Sequence, residues 1–106
     1  MRKKIVAFSL GLFFAATAAT AAHAAKPDGK ALFEANCAAC HKDGGNIINP
    51  QKTLSRKDRE NNGVKSASDI VKKMRNPGPG MTKFDKKTLP DKDAKAIAEY
   101  IESTFR

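Results

Sequence analysis

The feature that most constrains this chain is the pentapeptide Cys37-Ala38-Ala39-Cys40-His41. The pattern Cys-x-x-Cys-His is typical of sites where a c-type haem is attached covalently. Residues three apart lie on one face of a helical turn, so both sulfurs can reach the two vinyl groups on one edge of a porphyrin. The histidine that follows can then bind the iron as its proximal ligand. The motif therefore predicts one haem c, held through Cys37 and Cys40, with His41 on the iron.

The first 24 residues have the pattern of a secretory signal peptide. Three cations at positions 2–4 precede a mostly apolar run, and the segment ends in Ala22-His23-Ala24, which fits the small-x-small cleavage rule. We expect cleavage after Ala24, which leaves residues 25–106 as a single domain in a bacterial periplasm. The alternative is an uncleaved membrane anchor, because the weakly apolar run is nearly long enough to span a bilayer. Export also argues against a chance occurrence of the pentapeptide.

Two other uses of paired cysteines fit the sequence less well. A dithiol redox motif needs only Cys-x-x-Cys, but it usually lies in a βαβ unit, and the sequence has no convincing alternating strand. A structural zinc site needs four ligands of the Cys or His type. After the predicted cleavage, Cys37, Cys40 and His41 are the only such residues, so a zinc site lacks one ligand.

The rest of the sequence predicts short helices. Asp28 can cap a helix that leads into the motif, with Ala31, Leu32 and Ala35 on its apolar face and Phe33 beside it. The last helix opens at Pro90-Asp91, and its apolar stripe has helical period: Ala94, Ile97, Ala98, Ile101 and Phe105. Between these helices, residues 66–69 offer caps for a third one, which carries Ile70, Val71 and Met74 and stops before Pro77.

These elements predict an all-α domain of three to five short helices wrapped around one covalently attached haem. A chain of about 80 residues has a small core and usually needs a staple such as a disulfide or a metal. Because both cysteines belong to the motif, the haem would be both core and staple, and we expect the protein without haem to be largely unfolded.

The sixth ligand of the iron remains open at this stage. The candidates are Met74, Met81, a lysine or water, or the position is empty, because the chain after residue 24 has no second histidine. Met74 shares a predicted helical face with apolar residues, which favours a place in the core. Met81 follows Gly80 in a rigid Pro-Gly loop that can approach a haem closely, and it is therefore the favoured ligand. Two filled axial positions favour electron transfer over catalysis.

Together these residues resemble the class I cytochromes c, and among them the small soluble type that can substitute for plastocyanin. The stretch from Gly29 to His41 is similar to that family's first helix and attachment site. Gly29 and Phe33 match the positions where the first helix crosses the last one, with Tyr100 as the aromatic partner. The resemblance implies the small cytochrome c fold.

The resemblance extends to two loops that flank the haem in the family. Residues 49–54 are similar to the proximal loop, which implies that the Pro50 carbonyl accepts a hydrogen bond from the free ring nitrogen of His41. Met81 and Phe84 match the Met-Pro-x-Phe ligand loop, with Thr82 in place of the proline. The implied haem-binding residues are thus the motif residues, Pro50 and Met81.

The sequence therefore predicts a periplasmic monohaem electron carrier that is not an enzyme. The formal charge of the chain is +9, and three of its cations belong to the predicted signal. The remaining surplus, with Lys83, Lys86 and Lys87 after the ligand loop, suggests a redox partner with an acidic docking surface. A solvated lysine surface explains the same pattern equally well. We expect a monomer that binds no nucleic acid and has no stable membrane insertion after cleavage.

Two other functions compete with electron transfer. A haem-based gas sensor or a peroxide-reducing haem protein needs an open or easily displaced sixth position and a polar distal pocket. The absence of a second histidine and of a convincing acid–base pair argues against both. A membrane-anchored subunit of a respiratory complex would instead require that the signal stays uncleaved.

Overall fold

The computed structural model describes residues 11–13, residue 15 and residues 26–106. The predicted signal peptide thus lies mostly outside the described residues, as does its cleavage site. Five α-helices follow one another: α1 (Gly29–Asn36), α2 (Ala38–His41), α3 (Arg56–Asn61), α4 (Ala67–Arg75) and α5 (Asp91–Thr104). A 3-10 turn, Lys42–Gly44, follows α2, and the described part contains no β-strand. The predicted all-α class and number of helices are confirmed.

The first and last helices cross at a glycine. A Cβ atom at Gly29 would lie 2.9 Å from the carbonyl carbon of Ala96 and 3.0 Å from the Cβ atom of Tyr100, so only a glycine fits there. Beyond the crossing, the rings of Phe33 and Tyr100 pack at a tilt of 50° with their centroids 5.3 Å apart, and the centroid of the Phe105 ring lies 5.4 Å from that of Phe33. The expected crossing of α1 and α5 through these residues is present.

The face of α1 that packs inward differs from the predicted one. Asp28 caps the helix as expected, since its side chain accepts a hydrogen bond from the N–H of Ala31. However, Ala31 and Ala35 are exposed, and Phe33 is the buried residue of the helix. Leu32 is half-buried against the core as predicted. The prediction was wrong for Ala31 and Ala35, because the bulky Phe33 and the close approach at Gly29 determine which side faces α5.

The core lies where α1 and α4 pack against α5. From α5 it takes four residues of the predicted stripe, Ala94, Ile97, Ala98 and Ile101, and Phe105 is half-buried beside them. From α4 it takes Ile70 and Met74, while Ser66 accepts a hydrogen bond from the N–H of Asp69 and caps this helix. The predicted periodicities of both helices are therefore confirmed.

A charged residue joins α3 to the end of the chain. Helix α3 begins after Ser55, whose side chain accepts a hydrogen bond from the N–H of Asp58. Arg59 on this helix is only 8% exposed. Its Nε atom donates to the carbonyl of Leu54 at 2.8 Å, and Nη2 donates to the carbonyl of Phe105 at 3.2 Å.

Across the described ranges, each helix is too short or too polar to cross a bilayer.

Candidate haem-binding site

A cavity of about 410 Å³ opens beside the Cys-x-x-Cys-His motif. Its volume is within the range of small-molecule and cofactor sites. The motif contributes Cys37, Cys40 and His41, and the loop at residues 77–82 contributes Met81. The core contributes mostly apolar side chains: Phe33, Val64, Ile70, Met74 and Ile101. The fold thus brings together the cysteine pair, the histidine and the favoured methionine, which are far apart in sequence.

The backbone bends at the first cysteine of the motif. The N–H of Cys37 donates to the carbonyl of Phe33 and ends α1, and its φ and ψ angles of −123° and −34° leave the helical region. The N–H groups of Cys40 and His41 then donate to the Cys37 carbonyl at 3.2 and 2.9 Å. This single turn places the two sulfur-bearing residues three apart on a helical turn, as the motif requires.

Both cysteines are free thiols in different surroundings. Cys37 is half-buried, and desolvation raises its thiol pKa to about 11, while Cys40 is exposed. Of the residues that the structure describes, no three His, Cys, Asp or Glu side chains gather in a way that could hold a metal ion.

The ring of His41 is held by a carbonyl from the next turn of the chain. Its Nδ1 atom lies 2.7 Å from the carbonyl oxygen of Gly45. A carbonyl can only accept, so Nδ1 carries the proton and donates. In the neutral ring this leaves the lone pair on Nε2, which is the atom that a proximal ligand uses.

In the structure, His41 thus donates its hydrogen bond to the Gly45 carbonyl, whereas the resemblance implied the Pro50 carbonyl. The reason is the tight reversal after α2, which passes through Asp43 and Gly44, both with positive φ angles of 54° and 79°. This reversal brings the Gly45 carbonyl back beneath the histidine. Pro50 is exposed and is absent from the residues that line the cavity.

The two methionines differ in their surroundings. Met74 is 3% exposed and packs in the core, as its helical face predicted. Met81 is 37% exposed, lies in the loop between α4 and α5, and also lines the cavity. Near it, Ile48 from the loop after the motif packs on Gly80, because a Cβ there would lie 3.2 Å from its Cγ2 atom. The loop after the motif and the methionine loop therefore meet at the rim.

Two functional candidates were not found from the sequence, namely Arg59, which lines the cavity, and Arg75, which lies in the last turn of α4. Both are cations with mostly buried side chains. In the sequence they are indistinguishable from the many lysines and arginines around them, since burial of a charge depends on acceptors that come from distant residues.

The described residues fit a covalently held haem. They offer two thiols one helical turn apart, an imidazole with its lone pair on Nε2, a thioether that lines the same cavity, and an apolar lining. Polar groups at the rim, such as Asn46 and Lys52, suit the propionate edge of a porphyrin. A small helical domain with this set of donors on such a cavity has the features of a c-type cytochrome.

Comparison with known proteins agrees with these features. The family model described as cytochrome C oxidase, cbb3-type, subunit III matches residues 24–101. Cytochrome c6 of Synechocystis sp. is 45% identical over 94 residues, which cover 89% of this chain and 72% of that protein. The structure of OmcF, an outer membrane cytochrome from Geobacter sulfurreducens, superposes with a TM-score of 0.72 at 45% identity, covering 74% of this chain and 99% of OmcF. Cytochrome c6 from the diatom Phaeodactylum tricornutum superposes with a TM-score of 0.67 at 31% identity, over 72% of this chain and 88% of that chain.

The chain belongs to the small class I monohaem c-type cytochromes, the family of cytochrome c6. It is an electron carrier, and the expectation that it is not an enzyme is confirmed by its relatives. Proteins of this family hold one covalent haem c through a cysteine pair, and Cys37 and Cys40 are the two cysteines of this chain. The predicted cofactor is therefore confirmed.

Proposed function

We propose that this cytochrome carries single electrons between redox proteins in a bacterial periplasm, with His41 and Met81 as the axial ligands of its haem iron. The observation that carries the proposal is that Cys37, Cys40, His41 and Met81 all line one cavity. The bound haem supplies the one-electron chemistry. The residues of the chain hold the haem, orient the ligands and keep water away from the ring.

The histidine is prepared for its role before any ligand binds. The bond from Nδ1 to the Gly45 carbonyl fixes both the tautomer and the orientation of the ring. Partial negative charge on this carbonyl makes the imidazole a stronger donor, because it favours a buildup of positive charge on the ring. His41 is therefore the proposed proximal ligand, and Gly45 holds it in place.

Met81 is the proposed sixth ligand because the other methionine already has a role in the core. Met74 packs among Ile70, Phe33 and the residues of α5, so drawing its sulfur away would open the core. Met81 is 37% exposed, so moving its sulfur onto the iron would open no gap in the core. Thioether ligation also raises the reduction potential relative to a second imidazole.

The rim of the cavity supports docking of an acidic redox protein. Ile47 and Ile48 are 71% and 58% exposed, and with Met81 they form an apolar patch beside the attachment site. Lys52 and Lys73 line the cavity and are exposed, and Lys83 follows the methionine loop. An apolar centre with a cationic rim favours a small, transient contact that salt weakens. We propose that the protein acts as a monomer.

We also propose that residues 1–24 are a cleaved signal and that residues 25–106 form the mature domain. Mass spectrometry of the protein recovered from a periplasmic extract tests this, because a mature N-terminus at Ala25 is expected. An intact N-terminus in the membrane fraction would contradict the proposal.

Axial ligation is tested by making the same substitution at both methionines. We expect the oxidised wild-type protein to show low-spin bands and a weak far-red methionine–iron band, with no change in the reduced spectrum under carbon monoxide. Met81→Leu should lose the far-red band and bind carbon monoxide, while Met74→Leu, a swap of similar volume, should keep the band. High-spin bands or rapid carbon monoxide binding in the wild-type protein would favour a gas sensor or a peroxide-reducing protein instead.

A second candidate is an electron-transfer subunit of a membrane respiratory complex. It is favoured by the matching family model, whose description is that of an oxidase subunit. Co-purification of an oxidase with the uncleaved chain would support this function, whereas a cleaved, monomeric protein supports the free carrier.

A further inference from the structure

The loop that carries Met81 is held at its base. This ligand loop, residues 76–83, leaves the end of α4 and returns to the same place at Phe84. There the N–H of Phe84 donates to the carbonyl of Met74 at 2.9 Å. Within the ligand loop, the one backbone hydrogen bond among the described residues runs from Met81 to the Gly78 carbonyl, at a long 3.5 Å. Apart from the contact of Gly80 with Ile48, the conformation of the loop therefore depends mainly on what fixes its two ends.

Arg75 is the residue that fixes them. Its Nη1 atom donates to the carbonyls of Phe84 at 3.2 Å and Leu89 at 2.7 Å. Its Nη2 atom lies 2.7 Å from Oδ1 of Asp91, the first residue of α5. One guanidinium thus joins the last turn of α4, the return of the ligand loop and the start of α5.

The side chain of Arg75 is mostly buried, so the cation must be stabilised by these contacts. The side chain of Arg75 is 19% exposed, and its Nε atom is buried with no acceptor among the described residues. A cation in such a place is retained only when its other donors are well satisfied, since an unpaired buried donor is costly. A lysine has a single ammonium group, which cannot span three acceptors in the planar geometry of an arginine.

We propose that Arg75 is a positioning residue for Met81: by holding Phe84, Leu89 and Asp91 together, it keeps the ligand loop closed against the cavity and its thioether on the iron. This role rests on the proposed function, in which Met81 is the sixth ligand. Arg75 itself lies outside the lining of the haem cavity and acts through the backbone of the loop.

The role differs from a simple contribution to stability. A residue that only stabilises the fold lowers the melting temperature but leaves the competition for the sixth position unchanged in the folded protein. A residue that closes the ligand loop also changes the affinity of an external ligand that must displace Met81. Imidazole is a suitable probe, because its binding to the oxidised protein removes the far-red methionine–iron band.

The experiment is an imidazole titration of the oxidised, haem-loaded protein, followed at the far-red band. We expect Arg75→Gln to bind imidazole about tenfold more tightly than the wild-type protein, which corresponds to ~1.4 kcal/mol. Arg56→Gln is the matched control, because Arg56 is exposed and its one salt bridge among the described residues is with Glu60, one turn along α3. It makes the same charge change and should stay within about twofold of wild type. Arg75→Lys should fall between the two.

Asp91→Asn is a second variant, and it keeps the proposed role of Arg75 testable if Arg75→Gln does not fold. It removes the negative charge from one of the three acceptors of Arg75 at an exposed position, and we expect imidazole to bind about two- to threefold more tightly. Wild-type affinity in Asp91→Asn, and in Arg75→Gln where that variant folds, with the far-red band present, overturns the positioning role alone. A wild-type protein with no far-red band overturns the methionine ligation and the positioning role together.

Discussion

Replacement of Gly29 by alanine tests the helix crossing on which the fold depends. The added methyl group would lie 2.9 Å from the Ala96 carbonyl carbon and 3.0 Å from Tyr100 Cβ, whereas ordinary contacts of a Cβ atom begin at 3.4 Å. These neighbours are backbone and Cβ atoms that no rotamer change can move. The helices α1 and α5 must therefore separate by at least about 0.5 Å along their contact.

The magnitude follows from two opposing effects. Overpacking of this kind costs about 1–3 kcal/mol, and the better helix propensity of alanine offsets at most ~1 kcal/mol of it. A net loss of about 1–2 kcal/mol, the middle of the resulting range, lowers the melting temperature of a domain of this size by about 5–15 °C. The assay is thermal unfolding of the haem-loaded protein, followed by far-ultraviolet circular dichroism.

The matched control is the same substitution at Gly78. A Cβ atom there meets nothing within 4 Å, and the residue does not have a positive φ angle. Gly78→Ala should leave stability unchanged or raise it by about 0.5 kcal/mol, because alanine restricts the unfolded chain. A melting temperature of Gly29→Ala within about 2 °C of wild type would refute the argument, since the helices would then have room to spare.

Three further outcomes are expected from the contacts described above. Arg59→Met leaves two backbone carbonyls without their charged donor and should lower the free energy of unfolding by about 2–3 kcal/mol in a urea titration; an unchanged midpoint would contradict this. Hydrogen bonding to Arg75 holds the pKa of Asp91 below its usual value. The ionised Asp91 therefore contributes its full stabilisation of the folded protein above the usual pKa, and this contribution is lost as the pH falls through the lowered pKa. The difference in stability between wild type and Asp91→Asn, measured at pH 7 and at pH 3, should therefore shrink in acid, and a constant difference would show that this carboxylate is not the titrating group. Expression without haem attachment, through Cys37→Ala with Cys40→Ala, should abolish most of the helical circular dichroism signal, while a cooperative helical protein without haem would contradict the idea that haem completes the core.

The sequence predicts the buried face of a helix correctly where the helix has its own apolar stripe. The buried residues of α4 and α5 follow from spacing alone, because each helix buries one face and its large side chains are few. It failed for Ala31 and Ala35 on α1, a helix that has only two larger apolar residues, Leu32 and Phe33. There the inward face is selected by Gly29 and Phe33, whose importance depends on how closely α5 approaches.

The sequence predicts the site only where its chemistry depends on the type of side chain. Two thiols, an imidazole and a thioether can be read from the sequence, and the fold places all four on one cavity. The hydrogen-bond partner of His41 could not be read in this way, because every residue has a carbonyl and the choice of Gly45 depends on a tight reversal of the backbone. The buried arginines are a similar case, since their acceptors are mostly backbone carbonyls of distant segments.

The crossing of α1 and α5 also has a consequence for the order of events during biosynthesis. Ile101 lines the cavity and α5 covers Phe33, yet α5 is the last of the five helices to leave the ribosome. The cavity wall is thus incomplete while the cysteine motif has already been made. Packing of α5 over Phe33 therefore completes the cavity wall last, and this order favours haem attachment before the final helix closes.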